Sequence, residues 1–571
     1  MGSQDGGSEE LNAPEAGHAE EDTPVPEPAD AASARSPSPV RDLNPDPETS
    51  RRARTGSRKT AVRIESSEGS EGCECCDGVS VDEFSRWAEQ VGLVPPIALA
   101  VSGGGDSMAL LRLVQRWAAT QQTDMQPDPM ERSENEAPPS DRPPFRRRPG
   151  RSRTSDLPAW LGGTPSGPPP VTLVTVDHGL RAESADEAAW VAKQAQALGL
   201  PHVTLRAEQD SRPDRSVSAG SANLQAQARA ARYRLLEAWC RENGVPTLLT
   251  GHTEDDQAET VLMRLIRGSG VDGLAGIPER TVLRDPGGRA STEVLRPFLG
   301  VSRCRLRRTL VAFEQPWLED ASNEDERFTR VRIRRLLEGF AAEGLTTARL
   351  AGTARRMARA RAALEETNRI KMADAVTWHR AGFAWVGVDD LLRGPEEFGL
   401  RVLSHVIQGV GGLSYPPRHD RLLSLFGALK EHRLDRVRTL GNCRIAPVVE
   451  GGVLMVVREN RNQPRPLPLP AGAFRIWDGR FQVSLPKGAL SGEVRPLGAG
   501  IAQVFPERRR APKLSLPQSV RLMLPALWCG TTVLCVPHLG YDPERSGFCA
   551  IFQNDDVNLP CHLDASYGHS A

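Results

Sequence analysis

The chain has 571 residues, a formal net charge of −1 at pH 7 and ten cysteines. This length allows two to four domains, and the balanced charge means that any nucleic-acid contact must come from a local basic patch. No apolar run reaches the ~20 residues of a membrane span, and the acidic, polar start is not typical of a signal or transit peptide. Together with the scattered cysteines, these features predict a cytoplasmic, reduced protein without a membrane segment.

Two parts of the chain, residues 1–80 and about 120–169, are rich in polar residues and proline and poor in apolar residues. Such segments cannot bury enough apolar surface to fold. We therefore predict a disordered tail over 1–80 and a polar insertion at about 120–169. Cys73, Cys75 and Cys76 lie in the tail, but no second ligand pair follows at a metal-site spacing, so we interpret this cluster as incidental.

Between the tail and residue 310, short apolar runs alternate with segments whose apolar residues recur at helical spacing. The predicted elements are helices at 79–93, 106–119, 184–199, 222–243 and 254–270 and strands at 97–102, 171–179, 202–207, 246–252 and 293–298. This alternation predicts an α/β fold with a doubly wound parallel sheet. Ser184, with Glu187 three residues later, is typical of a capping box at the start of its helix.

The character of the sequence changes twice after this region. From about residue 311 the chain is helical and rich in arginine, and from about 436 short apolar runs alternate with glycine and proline. We therefore expect an α/β domain at 81–310, a basic helical region at 311–435 and a small mixed or β-rich domain at 436–571.

The segment SGGGDS, residues 102–107, joins a buried strand to a helix, and we call it the glycine loop. The N-terminus of a helix attracts anions, and Gly103, Gly104 and Gly105 allow a phosphate to approach the backbone closely. The loop lacks the lysine of the GxxxxGKS or GxxxxGKT phosphate loop and the GxGxxG spacing of a dinucleotide site. It therefore predicts a different kind of phosphate site.

Polar side chains complete the glycine loop: the hydroxyls of Ser102 and Ser107 and the carboxylate of Asp106. A carboxylate beside phosphates suits Mg²⁺, and the hydroxyls and amides can hold a pyrophosphate leaving group. The loop thus predicts cleavage of ATP between its α and β phosphates, with Mg²⁺ at Asp106. The alternative is a flexible turn followed by a helix cap.

Two further segments are expected near the glycine loop, because the carboxyl ends of parallel strands meet at one edge of a sheet. Asp177 and His178 end the next strand and are predicted to face the adenosine or the activated base, although His178 could equally make a local turn contact. Arg229 and Arg232 lie at i, i+3 spacing on one helix. Arg232 is a candidate for contact with a phosphate or developing negative charge, and a solvated helix face is the alternative.

Three acids, Asp255, Asp256 and Glu259, lie in the first turns of the helix predicted at 254–270, where the helix dipole alone would stabilise them. Asp255 and Glu259 share a face, and like charges at this spacing repel unless a cation lies between them. Mg²⁺ or a substrate ammonium would supply the cation, and a carboxylate could position an amine or accept its proton. Asp255 and Asp256 both remain catalytic candidates.

The glycine loop matches the SGGxDS loop of the ATP pyrophosphatase, or PP-loop, superfamily. Further segments resemble the tRNA(Ile)-lysidine synthetase family in the same order, over about 95–335, with a weaker resemblance beyond. They are VDHGLRAESADEAAWV (176–191), ARYRLL (231–236), GHTEDDQAETVLMRLIRGSGVDGLAGIP (251–278), LRPFLGVSR (295–303) and EDASNEDERFTRVRIR (319–334). Val331 stands where the family usually has asparagine.

This resemblance implies a PP-loop ATP-binding domain at 81–310 and a ligase that forms a C–N bond. The ligase would adenylate C2 of cytidine 34 in the CAU anticodon of tRNA(Ile), and L-lysine would displace AMP to give lysidine. ATP and Mg²⁺ are the implied cofactors, and a homodimer is among the assemblies allowed.

Basic helices beside such a domain favour contact with tRNA phosphates, although a basic helix is often only a solvated surface. The arginines concerned lie within 327–335 and at 355, 356, 359 and 361. One alternative function is tRNA thiolation, which would need a cysteine near the carboxyl ends of the strands, and the segments identified there have none. Another is an inactive tRNA-binding protein, which would not need an intact glycine loop.

Overall fold

The computed structural model describes residues 59–62, 77–123, 170–177, 179, 184–206, 221–320, 329–434, 436–448, 452–506, 516–554 and 557–559. Contacts divide the chain into residues 1–55 and residues 56–571, and every described residue belongs to the second unit. Within the described ranges, no helix combines the length and apolarity needed to cross a bilayer. His178, Cys73, Cys75 and Cys76 lie outside the described residues, as does most of the predicted tail and insertion.

Strands and helices alternate through the first part of the described chain. They are β1 (Lys59–Val62), α1 (Val81–Val91), β2 (Ile97–Ala100), α2 (Gly105–Thr123), β3 (Val171–Asp177), α3 (Ser184–Ala197), β4 (His202–Arg206), α4 (Ser221–Glu242), β5 (Thr247–Thr250), α5 (Glu254–Ile266), α6 (Val271–Leu274), β6 (Arg280–Arg284), β7 (Ala290–Leu295), α7 (Arg303–Ala312) and β8 (Trp317–Asp320). β1 lies in the tail predicted to be disordered and instead pairs antiparallel with β8, a contact with a distant segment that local composition does not reveal.

Six strands form the central sheet in the order β4-β3-β2-β5-β7-β6. The first five are parallel, and β6 is an antiparallel edge strand, so the predicted α/β fold with a mainly parallel sheet is confirmed. The chain moves outward from β2 to β4 and then returns to β5, so its direction reverses between β2 and β5. Ligands of such sheets bind outside the carboxyl ends of the strands at this reversal.

Both faces of the central strands are buried. Leu99 of β2 belongs to a core cluster with residues of α1, α2 and α7, whereas the preceding residue, Ala98, belongs to a cluster with α4. Side chains of successive strand residues point to opposite faces, so a strand covered on both sides is apolar throughout. This two-sided burial explains the continuous apolar run that precedes the glycine loop.

The second part of the described chain begins with helices and ends with small antiparallel sheets. Its elements are α8 (Thr329–Ala341), α9 (Thr347–Ala375), β9 (Val376–His379), β10 (Phe383–Gly387), α10 (Val388–Leu392), α11 (Glu396–Gly411), α12 (His419–Lys430), β11 (Arg438–Leu440), β12 (Cys443–Val448), β13 (Val453–Arg458), β14 (Leu467–Leu469), β15 (Phe474–Trp477), β16 (Phe481–Ser484), β17 (Gly492–Pro496), α13 (Ile501–Val504), α14 (Gln518–Leu522), β18 (Pro525–Cys529), β19 (Thr532–Cys535), β20 (Cys549–Asn554) and β21 (Val557–Leu559).

The boundary expected at 435/436 does not separate two sheets. β9 and β10 lie before it, yet they join β11, β12 and β13 in one sheet of order β11-β12-β13-β10-β9. Trp378, Phe383 and Trp385 give this hairpin the aromatic content that favours strands. Two four-stranded sheets, β14-β17-β18-β19 and β15-β16-β20-β21, follow.

A buried carboxylate, Asp478, joins the five-stranded sheet to the C-terminal sheets. It pairs with Arg458 of β13 at 3.1 Å and with Arg480 at 2.7 Å, and all three side chains are at most 6% exposed. Arg480 also donates to the carbonyl oxygen of Gly382 at 3.2 Å. Each buried guanidinium therefore depends on one carboxylate for its countercharge.

Asp478→Asn should lower the free energy of unfolding by about 3–5 kcal/mol, because two buried guanidiniums lose their negative partner. Urea unfolding followed by tryptophan fluorescence measures the change. In the control, Glu493→Gln removes a half-exposed partner of Arg495 and should cost less than about 1 kcal/mol. Equal stability of the two variants would contradict the importance of the buried pair.

Candidate active site

The glycine loop leaves β2 where the sheet reverses direction and enters α2. Gly103 has φ +83°, and a Cβ there would lie 2.8 Å from Cδ1 of Leu318, so the backbone and the packing both require glycine. The N–H of Leu318 donates to the carbonyl oxygen of Gly103 at 2.9 Å, which ties the loop to β8. A Cβ on Gly104 would meet only the Ser102 hydroxyl, at 3.8 Å. This side of the loop is therefore open to a ligand.

The two serines at the ends of the loop have different environments. Their hydroxyl oxygens lie 3.5 Å apart, but Ser102 is exposed and Ser107 is buried. The Ser107 hydroxyl donates to the carbonyl oxygen of Gly104 at 2.9 Å and accepts from the Ser102 N–H at 3.3 Å. Ser107 therefore holds the loop in shape, and Ser102 presents the hydroxyl that a phosphate can reach.

Asp106 lies in the first turn of α2 and pairs with Arg303, whose Nε is 3.2 Å from Asp106 Oδ2. Burial raises the pKa of Asp106 to about 6; Arg303 opposes this rise, whereas Asp256 and Asp255 add to it. A Cβ on Gly251 would lie 2.9 Å from the Asp106 carbonyl oxygen, so glycine is needed for β5 to end this close to α2. The start of α2 is thus held against the start of α5.

Arg303 begins α7 and connects the first turns of three helices. Besides its pair with Asp106, its backbone N–H donates to Oδ2 of Asp255 at 2.8 Å, and its Nη2 lies 3.6 Å from Oδ1 of Asp256. Burial acts to lower the pKa of Arg303, but Asp106, Asp256 and Asp255 together hold it above its ordinary value. The central position of Arg303, within the segment LRPFLGVSR, was not predicted from the sequence, because no local pattern marks an arginine after a helix cap as a central residue.

Asp256 is both a helix cap and a member of the charge network. Its Oδ2 accepts from the N–H of Thr253 at 2.9 Å and from the Thr253 hydroxyl at 3.1 Å, which completes a capping box. Its Oδ1 lies 3.6 Å from both Arg303 and Arg330. Burial acts to raise the pKa of Asp256, but Arg303 and the Thr253 N–H outweigh it and leave the pKa low. Asp256 is therefore ionised at neutral pH.

Glu259 lies one turn further along α5 and is only 1% exposed. Its Oε1 accepts from Arg334 at 2.9 and 3.1 Å, while its Oε2 accepts no hydrogen bond and lies 4.0 Å from Arg330. Burial raises the pKa of Glu259, and Arg334 opposes this rise. Arg330 thus lies near both Asp256 and Glu259, and the predicted sharing of a bound cation by Asp255 and Glu259 stays a prediction.

We call the three acids of α5, Asp255, Asp256 and Glu259, the acidic cluster. Within the described residues, no three Asp, Glu, His or Cys side chains are placed to hold a metal ion by themselves. Any cation at this site would therefore need further ligands from substrate or water.

Asp177 ends β3, on the other side of the glycine loop from α5. Its Oδ1 accepts from the Gly179 N–H at 2.9 Å and from the Ser184 hydroxyl at 2.5 Å. The Ser184 hydroxyl thus connects the start of α3 to the end of β3, and the predicted capping box of Ser184 and Glu187 stays a prediction. The role of Asp177 toward adenosine stays a prediction.

Arg232 of α4 lies near the end of β5. Arg229 and Arg232 flank the ring of Tyr233, with guanidinium carbons 5.2 and 5.5 Å from its centre, and burial lowers the pKa of Arg232. Burial also lowers the pKa of His252 to about 3; Asp256 opposes this fall, whereas Arg296, Arg229 and Arg232 add to it. His252 is therefore neutral at pH 7, a feature that the sequence pattern does not reveal.

Comparison with known proteins finds a PP-loop domain match at residues 164–339. A tRNA(Ile)-lysidine synthase from Ruegeria pomeroyi is 35% identical over 80% of this chain and 93% of the relative. The tRNA(Ile)-lysidine synthase of Wolbachia pipientis is 31% identical over 68% of this chain and 77% of the relative. That of Methylobacterium nodulans is 46% identical over 48% of this chain and 78% of the relative.

The identity to the Ruegeria pomeroyi protein extends over nearly its whole length. The chain belongs to the tRNA(Ile)-lysidine synthase family.

Proposed function

We propose that this protein uses ATP to attach lysine to C2 of cytidine 34 in the CAU anticodon of tRNA(Ile), with release of AMP and pyrophosphate. The observation that carries the proposal is the position of Arg303, which lies between the open glycine loop and the acidic cluster, whose member Glu259 is buried. Family membership supports the use of ATP and a tRNA(Ile) substrate. The two sides of Arg303 then serve the two halves of the reaction.

The glycine loop serves the first half. The loop N–H groups, the start of α2 and the exposed Ser102 hydroxyl hold the leaving phosphates, since a helix N-terminus stabilises negative charge. The C2 oxygen of cytidine attacks the α-phosphorus, a C2–O–P linkage forms, and pyrophosphate departs. Arg232 is proposed to stabilise the negative charge that develops in this step.

Asp106 would hold Mg²⁺ together with the phosphates. Mg²⁺ is commonly bound by one or two carboxylates with substrate phosphates and water, so the absence of a three-residue metal group among the described residues is compatible with it. Asp106 fits because it lies at the start of the helix that follows the phosphate loop, with Asp255 and Asp256 close enough to raise its pKa. When bound, Mg²⁺ neutralises charge on the phosphates.

The acidic cluster serves the second half by holding the amine of lysine. Oδ1 of Asp256 and Oε2 of Glu259 both face Arg330, and Arg303 and Arg334 also pair with these two acids. Together with Asp106 and Asp255, which Arg303 contacts through its Nε and its backbone N–H, four carboxylates lie beside three guanidiniums. The excess of negative charge favours an additional cation. The amine must lose a proton before it attacks C2, and Glu259, whose pKa is raised by burial, can accept it. A C–N bond then forms, and AMP leaves with the former C2 oxygen.

The direct test mixes the protein with Mg²⁺-ATP, labelled lysine and a tRNA(Ile) transcript that carries the CAU anticodon. Label should enter this RNA and should not enter methionine tRNA, which has the same anticodon. Binding of tRNA(Ile) without label incorporation would contradict the proposed function.

Asp106→Asn should lower the rate of lysine incorporation by roughly 10²–10³-fold, because charge stabilisation at the phosphates is lost. Asp82→Asn, at an exposed first-turn position of α1, is the control and should leave the rate unchanged. Initial rates at saturating lysine and tRNA measure the effect. An Asp106→Asn variant with the normal rate would rule out the proposed role of this carboxylate.

Arg303→Gln should move the acid limb of Mg²⁺-ATP binding to higher pH. Burial already raises the pKa of Asp106 to about 6 against the influence of Arg303, so removing the guanidinium raises it further. Binding needs the ionised carboxylate and is therefore lost as pH falls through this pKa. Calorimetric Kd values between about pH 5 and pH 9 measure the limb. A limb that stayed in place or moved to lower pH would contradict the pairing.

A further inference from the structure

The first half of α9 carries three arginines that form no ion pair with a carboxylate among the described residues. Arg349, Arg355 and Arg356 line a surface groove of about 610 Å³, together with Ala348, Gly352 and Thr353. Arg349 donates to the carbonyl oxygen of Gly344 and Arg356 to the hydroxyl of Thr353, which are neutral acceptors. Among the described residues, none of the three arginines forms an ion pair. We call this surface the arginine groove.

Arginines further along α9 differ in this respect. Arg361 pairs with Glu365 at 3.2 Å, and Arg369 pairs with Glu366 at 2.9 Å. The lack of ion pairs is thus a property of the groove and is not shared by the later arginines of α9.

The arginine groove is fixed relative to the acidic cluster. Ala258 and Leu262 of α5 share a buried apolar cluster with Leu350 and Ala354 of α9. The helix that carries Asp255, Asp256 and Glu259 therefore packs directly on the helix that carries the groove. The distance between the two sites is set by a packed core and not by a loop.

Arg355 marks the end of the groove nearest the catalytic site. A Cβ on Gly300, in the segment before α7, would lie 3.7 Å from its Nη1. Arg355 also acts electrostatically on Glu254, the first residue of α5, whose N–H donates to the carbonyl oxygen of Val301 at 2.9 Å. The groove thus opens beside the segment that leads to Arg303.

We propose that the arginine groove binds backbone phosphates of the tRNA anticodon strand, next to the nucleotide that reacts at the acidic cluster. This inference rests on the proposed function. Guanidinium groups bind phosphates through two parallel hydrogen bonds, and the small side chains of Ala348 and Gly352 let the strand approach the helix. The lining residues include no aromatic side chain on which a base could stack, so the groove positions the strand without distinguishing bases.

The arginines that were predicted to contact tRNA differ in their partners. Arg330, Arg334 and Arg361 direct their guanidiniums to carboxylates, whereas Arg355 and Arg356 line the groove. Arg349, which was not predicted from the sequence, also lines the groove, and its guanidinium reaches back to the carbonyl oxygen of Gly344 before α9.

A matched pair at Gly352 tests the groove. A Cβ there would lie 3.7–3.8 Å from the guanidiniums of Arg356 and Arg355, which is an ordinary contact, so both alanine and glutamate fit. Gly352→Glu places a carboxylate among the arginines and should weaken tRNA(Ile) binding at least about tenfold and reduce the salt slope of log K by about one to two. Gly352→Ala should bind as the parent protein does.

Arg355→Gln combined with Arg356→Gln should reproduce the effect of Gly352→Glu without adding a charge, and Arg369→Gln, on the paired half of α9, should not. Mg²⁺-ATP binding by every variant should equal that of the parent. Ethylation interference on the RNA should show phosphates flanking cytidine 34 whose modification blocks binding to the parent protein and no longer matters for Gly352→Glu.

The outcomes separate this inference from the proposed function. Unchanged tRNA affinity in Gly352→Glu and in the double variant, with normal lysine transfer, would overturn the groove and leave the function intact. Interference that maps to the acceptor stem would also overturn it. If the parent protein transferred no lysine, the proposed function would fail, and the interference map would still decide whether the groove contacts the anticodon strand.

Discussion

The geometry of the site depends on one cation, Arg303, placed among the first turns of three helices. Its side chain pairs with Asp106 of α2 and approaches Asp256 of α5, and its backbone N–H, at the start of α7, binds Asp255. Carboxylates this close together repel one another, and burial strengthens the repulsion. The arginine offsets it and so allows α2 and α5 to begin side by side at the sheet reversal.

This arrangement creates two chemical environments at the carboxyl ends of the central strands. On one side the glycine loop is open and offers N–H groups and a hydroxyl to anions. On the other side Glu259 is almost completely buried, with one oxygen bound to Arg334 and the other without a hydrogen bond. The proposed reaction first cleaves ATP and then attaches an amine at C2 of cytidine, so both environments must lie within reach of this carbon. Arg303 contacts both and keeps them adjacent.

Much of the fold follows from the sequence because its patterns are local. The buried run of β2, the glycine loop and the helix after it are contiguous, and their order fixes the edge of the sheet at which the acids collect. That Asp256 and Glu259 share Arg330 is harder to predict. Their spacing places both acids on one face of α5, but it does not show which side chain of another element contacts that face. The capping box of Thr253 and Asp256 is itself a local pattern and could have shown that one Asp256 oxygen is already used.

The remaining differences have the same origin. Arg330 and Arg334 lie in a segment whose composition favours RNA contact, yet α8 packs against α5 and directs them to buried acids. β1 and the hairpin of β9 and β10 gain their strand partners from segments far away in the chain. Tertiary contacts decide these features, and one sequence does not contain enough local information to specify them.

The central claim is that the glycine loop and the acidic cluster perform separate half-reactions on the two sides of Arg303. It is tested most directly by incubating Glu259→Gln with tRNA(Ile) and ATP radiolabelled at the α-phosphate, without lysine. Labelled AMP should become attached to the RNA as in the parent protein, and added lysine should release it rapidly from the parent but not from the variant. Loss of adenylation in Glu259→Gln, or normal release by lysine, would contradict this division of roles.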